Sequence, residues 1–245
     1  MNVVKVVGEE FLSSDPFMEV RWMEKLADTT GRPNGIVALA DFLNPTLDQT
    51  LDSYAGMSHV RAVRQHMGWH PTNSLINFAL RPDLLSDPVW RNGLSSLRGR
   101  NLRCELEVYS PQLQDLAAVA TAFPDVLFIL PMMGWPTDLT STGRGAWIAG
   151  MKAVGACPNV AVKIFGMEMI FGLQWTVQDV RSWILQTIDV FGPSRTMFGS
   201  HMPICQLACS FQHLYDAYFQ VIAAFSPSEK RQMLHDTAIA VYGLT

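Results

Sequence analysis

Residues Pro158–Gly166 read PNVAVKIFG, and a longer segment, Thr176–Phe191, follows ten residues later. Val160–Phe165 is β-branched and apolar, so it reads as a buried strand. Thr176–Phe191 reads as a helix that Thr176 can cap at its N-terminus. A short strand, Thr196–Gly199, comes next, and two helices, Phe211–Phe225 and Ser228–Tyr242, close the chain. The same strand-then-helix alternation runs back toward the N-terminus. Strands are expected at Val3–Gly8, Gly35–Phe42, Val60–Met67, Cys104–Tyr109 and Val126–Leu130, and helices at Phe17–Thr30, Thr46–Gly56, Asp87–Arg98, Gln112–Phe123 and Ala146–Ala156.

Seven strands, each but the last followed by one main helix, imply parallel strands joined by right-handed crossovers. So many units favour a closed or nearly closed barrel over an open sheet. A (β/α)-barrel takes about 250 residues, and the chain has 245. No repeat, low-complexity tract or linker interrupts the pattern, so residues 1–245 read as one α/β domain.

Hydrophobic residues make up 49% of the chain and charged residues 16%, enough apolar material for a sizeable core. A net charge of −4 and no basic run argue against a nucleic-acid or anionic-membrane partner. The longest apolar runs, such as Val126–Met133, fall far short of the roughly 20 residues a membrane span needs. The N-terminus shows no secretory leader. Cys104, Cys157, Cys205 and Cys209 follow no disulfide or zinc spacing, so reduced thiols in a cytoplasmic compartment are expected.

Six ordered words carry a family resemblance. They are Asn34–Phe42 (NGIVALADF), Ala62–Pro71 (AVRQHMGWHP), Asp87–Leu97 (DPVWRNGLSSL), Glu105–Leu113 (ELEVYSPQL), Pro158–Gly166 (PNVAVKIFG) and Phe191–Cys205 (FGPSRTMFGSHMPIC). Together they resemble the amidohydrolase superfamily, in its lactonase-like branch of TIM-type barrel hydrolases, over almost the whole chain. The resemblance implies a (β/α)-barrel of TIM type, here distorted or incomplete, because the chain begins where the family's second strand stands. It also implies a metal-binding His-x-His on a first strand, an Asp-His word on the sixth and an Asp after Gly-Ser on the eighth. This chain has no His-x-His; it reads Leu130-Pro131-Met132-Met133-Gly134 at the sixth position and Gly199-Ser200-His201 at the eighth. Metal-assisted hydrolysis needs several N or O ligands on one ion, so neither metal nor cofactor is expected.

Active sites of such barrels sit at the C-terminal ends of the strands. Those ends carry Met67, Trp69, His70, Met132, Met133, Trp135, Met167, Met169 and Met202, an apolar, sulfur-rich rim suited to an irregular apolar ligand. Packing of the same residues beneath loops is the alternative. By alternation Glu105, Glu107 and Tyr109 share one face, the expected lumen face, since carboxylates among packing helices would be costly. With Arg64 or Gln65, Lys163, Asp41 and His201 they are the polar candidates, and catalysis is assigned to His201, Glu107, Arg64, Lys163 and Tyr109. A lumen Glu–Lys or Glu–Arg pair can equally be a structural ion pair. His66 and His70 lie four apart, but Gly68 and Pro71 exclude a helical two-His metal face there. His59, His213 and His235 read as surface residues.

Three functions fit. The first is a cofactor-independent enzyme on an apolar, natural-product-like small molecule, such as a [4+2] cyclase (a Diels–Alder catalyst), a lyase or an isomerase, working by preorganisation and hydrogen-bond polarisation. The second is a lactonase without metal or with a weakly held one. The third is a non-catalytic binding protein. A homodimer that covers exposed strand edges suits the first and third.

Overall fold

The computed structural model describes residues 2–244. Seven parallel strands pair in chain order to form one curled sheet. They are β1 (Val7–Glu9), β2 (Gly35–Leu39), β3 (Val60–His66), β4 (Arg103–Glu107), β5 (Phe128–Leu130), β6 (Val160–Ile164) and β7 (Thr196–Phe198). Among the described residues β1 and β7 do not pair with each other, so the barrel stays open along that seam. The main helices α1 (Pro16–Thr30), α2 (Leu47–Ala55), α3 (Pro88–Ser95), α4 (Leu113–Ala122) and α5 (Ser141–Gly155) cover the outer face. After β6 come α6 (Met167–Phe171) and α7 (Val177–Phe191), and after β7 come α8 (Phe211–Val221), α9 (Pro227–Arg231) and α10 (Thr237–Tyr242).

Local chemistry sets the helix starts. Thr176 Oγ1 accepts the Asp179 N–H while Asp179 returns a carboxylate to the Thr176 N–H at 2.8 Å, a reciprocal cap. Asp87 accepts the N–H groups of Val89 and Trp90 ahead of Pro88, so α3 starts at Pro88. The expected strand Val3–Gly8 forms only from Val7. Pairing aligns Val7 with Gly35, and before Gly35 the chain has Pro33, which has no N–H to donate. The Asn34 side chain instead accepts the Val6 N–H at 2.9 Å. The expected last helix, Ser228–Tyr242, is one helical run with a π-turn at Gln232–Asp236 between α9 and α10.

The outer face of the sheet packs Cys104, Leu106, Val108, Val162 and Ile164 against buried Trp90, Trp147, Leu116 and Ile184. The inner face begins as an apolar layer of Val37, Ala62, Ile129, Ala161 and Met197, closed from below by Val241, Tyr242 and Leu244. Alternation then places Arg64 and His66 of β3 beside Glu105 and Glu107 of β4. The C-terminal segment is thus a plug, and the polar layer lies above it.

Gly93 shows how tightly one helix docks. A Cβ there would lie 2.0 Å from the Phe42 carbonyl oxygen, and backbone cannot yield as a flexible side chain does. Gly93→Ala is expected to destabilise the fold by about 1–3 kcal/mol, seen as a drop in thermal midpoint of roughly 2–4 °C per kcal/mol. An unchanged midpoint would show that α3 is free to shift.

Candidate functional site

The lumen layer is ionic. Arg64 reaches Glu105 through Nε at 2.7 Å and through Nη2, Glu10 through Nη1 at 3.2 Å, and Glu9 through Nη2. Lys163 meets Glu105 at 2.6 Å and also bonds Glu9. The Tyr242 hydroxyl donates to Glu105 at 3.3 Å, so the plug is tied to the charged layer. His66 lies between two carboxylates, with Nε2 2.7 Å from Glu10 and Nδ1 2.8 Å from Glu107. Carboxylates only accept, so both ring nitrogens carry protons and His66 is an imidazolium.

The electrostatics follow from these contacts. Burial pushes the His66 pKa down, but Glu10 and Glu107 outweigh it and raise it to about 9. Burial also pushes the Glu9 carboxyl up, and Arg64 and Lys163 override this to hold it at about 2. Glu10 is lowered too, its burial outweighed by His66 and Arg64. Arg64 stays firmly protonated: burial opposes its charge, but Glu105 and the other carboxylates prevail. Four carboxyl groups and three basic side chains therefore form one ion-paired network.

A second acid–base pair sits above β6 and β7. His201 Nδ1 hydrogen-bonds the buried Glu168 carboxylate, which fixes the tautomer and leaves Nε2 free. The His201 side chain is 20% exposed. Its ring lies 5.1 Å from Phe165, and the Lys163 ammonium lies 5.3 Å from that same Phe165 ring. Phe165 is thus the common surface on which an imidazole and an ammonium both pack.

The backbone at this end is strained. Met132 (φ 51°), Met133 (φ 54°), Trp135 (φ 28°) and His201 (φ 53°) are all left-handed, at about 1–3 kcal/mol each. Their surroundings hold them there. Trp147 Nε1 donates to the Met133 carbonyl at 2.8 Å, and Ser110 N–H to the Trp135 carbonyl at 3.1 Å. Cys205 N–H donates to the His201 carbonyl at 2.9 Å.

The expected rim divides. Met67, Met132, Met133 and Met167 are at most 1% exposed and belong to the hydrophobic core. They therefore present no surface to a ligand in this conformation. Trp69, Trp135 and Met202 are half-buried and Met169 is exposed. His70 Nδ1 accepts the Asn73 N–H at 3.1 Å and so shapes a turn. Tyr109 is buried, its hydroxyl donating to the Ile76 carbonyl and its pKa raised by burial and by Glu107. Gln65 points outward, bridging Asp41 at 3.0 Å and Trp90 at 2.8 Å, so Arg64 is the lumen residue of that pair. His59 pairs with Glu24 at 3.1 Å, and His213 and His235 lie on or beside the terminal helices.

Glu9, Glu10 and Glu168 were not among the expected site residues. Glu9 and Glu10 end a strand-like run, VVKVVGEE, where barrel sites lie, and that position was a usable signal. Glu168 is the single carboxylate in FGMEMIF, Phe165–Phe171. Spacing along the chain pairs His66 only with His70, whereas its partners come from the end of β1 and from β4.

Among the described residues no three of His, Cys, Asp and Glu converge as a metal-binding set. Met132, just after β5 where the resemblance implies a histidine, is packed into the core. The donor set present therefore does not fit a resident metal of the kind the superfamily implies. No helix among the described residues is long and apolar enough to cross a membrane.

Comparison with known proteins agrees with this architecture. An uncharacterized protein, y4mH, of Sinorhizobium fredii is 34% identical over 98% of this chain and 81% of its own length. An L-fucono-1,5-lactonase of Burkholderia multivorans is 23% identical over 92% of this chain and 77% of its own. A crystal structure of an amidohydrolase from Burkholderia multivorans with bound HEPES superposes with a TM-score of 0.84 at 21% identity, covering 98% of this chain and 84% of that one. The amidohydrolase family model matches residues 14–244, and the chain belongs to that family.

Proposed function

We propose that the chain opens small lactones by general acid–base catalysis without a resident metal. The observation that carries this reading is that His201, oriented by Glu168, and Lys163 both pack against the Phe165 ring. His201 Nε2 takes a proton from water as its oxygen attacks the lactone carbonyl. The carbonyl oxygen gains negative charge and receives the remaining N–H of Lys163, whose other donors serve Glu9 and Glu105. As the tetrahedral carbon collapses, the bond to the ring oxygen breaks and the His201 imidazolium returns the proton to that oxygen. His66 is a positioning residue that holds Glu10 and Glu107 around Arg64. The similarity to a protein named a lactonase supports the substrate class.

Hydrolysis of an aldonolactone panel, followed by acid release at constant pH, tests the reading. Turnover is expected to survive prolonged chelation and to fall about a hundredfold or more in His201→Asn. Activity that vanishes on chelation and returns with zinc would defeat the metal-free mechanism, and no turnover on any lactone would defeat the substrate class. The cyclisation reading keeps Trp69 and Trp135 at the mouth, but four of the methionines that motivated it are core residues.

A further inference from the structure

The other end of the barrel, where the strands begin, has a cleft of about 300 Å³ that the proposed reaction does not use. Arg61, Arg100, Arg103, Asn101 and Gly243 line it. Arg100 is neutralised by Asp52 at 2.8 Å and Asp48 at 3.1 Å. Arg61 and Arg103 pair with no carboxylate among the described residues. Backbone carbonyls hold them instead. Arg61 Nη1 donates to Ser58 and Val60 at 2.8 and 3.0 Å. Arg103 Nε donates to Val241 at 2.6 Å and its Nη1 to Asn101 at 2.8 Å.

These bonds fix two guanidinium groups while leaving Arg61 Nε and Nη2 and Arg103 Nη2 without an acceptor among the described residues. Capping the end of α10 accounts for the Arg103 Nε bond. It does not account for a second cation beside it that no carboxylate among the described residues meets. The two charges feel each other: burial first, and then Arg61, lowers the Arg103 pKa. Preorganised forks of N–H donors match the spread oxygens of a phosphate group better than a single ammonium does.

We propose that this cleft binds a phosphate dianion, free or carried as a monoester, between Arg61 and Arg103. The cavity is larger than the phosphate group alone, so the body of an ester can lie beside Leu102 and Met57. Arg103 holds the Val241 carbonyl, and the next residue, Tyr242, bonds Glu105 of the charged layer.

Calorimetric titration of the full chain with inorganic phosphate, and separately with glycerol 3-phosphate, at constant ionic strength tests the proposal. One saturable site is expected for at least one of the two probes. Arg61→Gln should weaken it about tenfold, and Arg61→Lys should weaken it less. Arg61 bonds only the local carbonyls of Ser58 and Val60, so the unliganded thermal midpoint of Arg61→Gln should stay within about 4 °C of the parent and separate lost binding from lost fold. Tighter binding of glycerol 3-phosphate would assign the site to esters, and equal or tighter binding of inorganic phosphate would assign it to the free ion. No saturable heat with either probe, or binding unchanged in Arg61→Gln, overturns the proposal.

Discussion

Arg64→Ala is expected to cost about 3–5 kcal/mol of stability, the loss that follows when one partner of a buried ion pair is removed. Arg64 is the only residue that touches Glu9, Glu10 and Glu105 together among the described residues. Its removal leaves three carboxylates facing one another around Lys163 and His66, with the Glu10 and Glu105 side chains at most 1% exposed. Such a loss is a large share of the roughly 5–15 kcal/mol by which domains are stable. Urea unfolding followed by circular dichroism reads it directly. Arg64→Lys should recover only part, because an ammonium cannot reproduce the three-way fork. A loss below about 1 kcal/mol, the range of exposed pairs, would mean that water reaches the lumen and screens the network.

The second large effect is a stability that falls on the alkaline side at unusually low pH. His66 has its pKa raised from 6.5 to about 9 in the folded chain. A raised base contributes fully below its unfolded value, and the contribution disappears as pH climbs through the folded value. A tenfold change in proton affinity is worth about 1.4 kcal/mol. Between pH 6.5 and about 9 the chain should therefore lose up to about 3 kcal/mol. Glu9, lowered from 4.5 to about 2, acts the other way. Its contribution is present above pH 4.5 and is lost as pH falls toward 2. Maximum stability is expected between about pH 4.5 and 6.5, by unfolding midpoints measured from about pH 3 to 10. His66→Gln should flatten the alkaline limb and leave the Glu9 part of the acid limb in place, with the Glu10 part reduced because His66 helps hold that carboxyl low. A wild-type curve level from about pH 6 to 9 would show that His66 is not held between two carboxylates.

Both effects arise from residues whose facing was partly readable in the chain. On β4 the alternation of CELEVY separates Glu105 and Glu107 from Cys104, Leu106 and Val108, and burial cost alone sends the carboxylates inward. The partners of those carboxylates were less readable. Arg64 and Gln65 are neighbours, and a one-residue shift of register exchanges their faces. Pairing with β4 decided it, setting Arg64 beside Glu105 and His66 beside Glu107.

The methionines illustrate a different limit. Position at a strand end says that a side chain lies near the mouth of a barrel, but not whether a loop or helix covers it. Met132 is under Gly166, where an added Cβ would come within 2.5 Å of its Cε, and Met167 is covered in the core cluster. Composition shows that apolar sulfur is plentiful, whereas contacts decide whether it is surface or core.

From the sequence alone come the strand–helix alternation, the parallel sheet, the family and the inward carboxylates of β4. Each depends on local periodicity or on ordered words, and both survive in one dimension. The tertiary structure decided that His66 is an imidazolium between Glu10 and Glu107, that Glu168 orients His201, and that Tyr242 plugs the lumen beneath Glu105. Those pairings join residues 33 to 137 positions apart. Charge–charge energy depends on separation in space, and only the closing of the sheet brings such positions within a few ångströms.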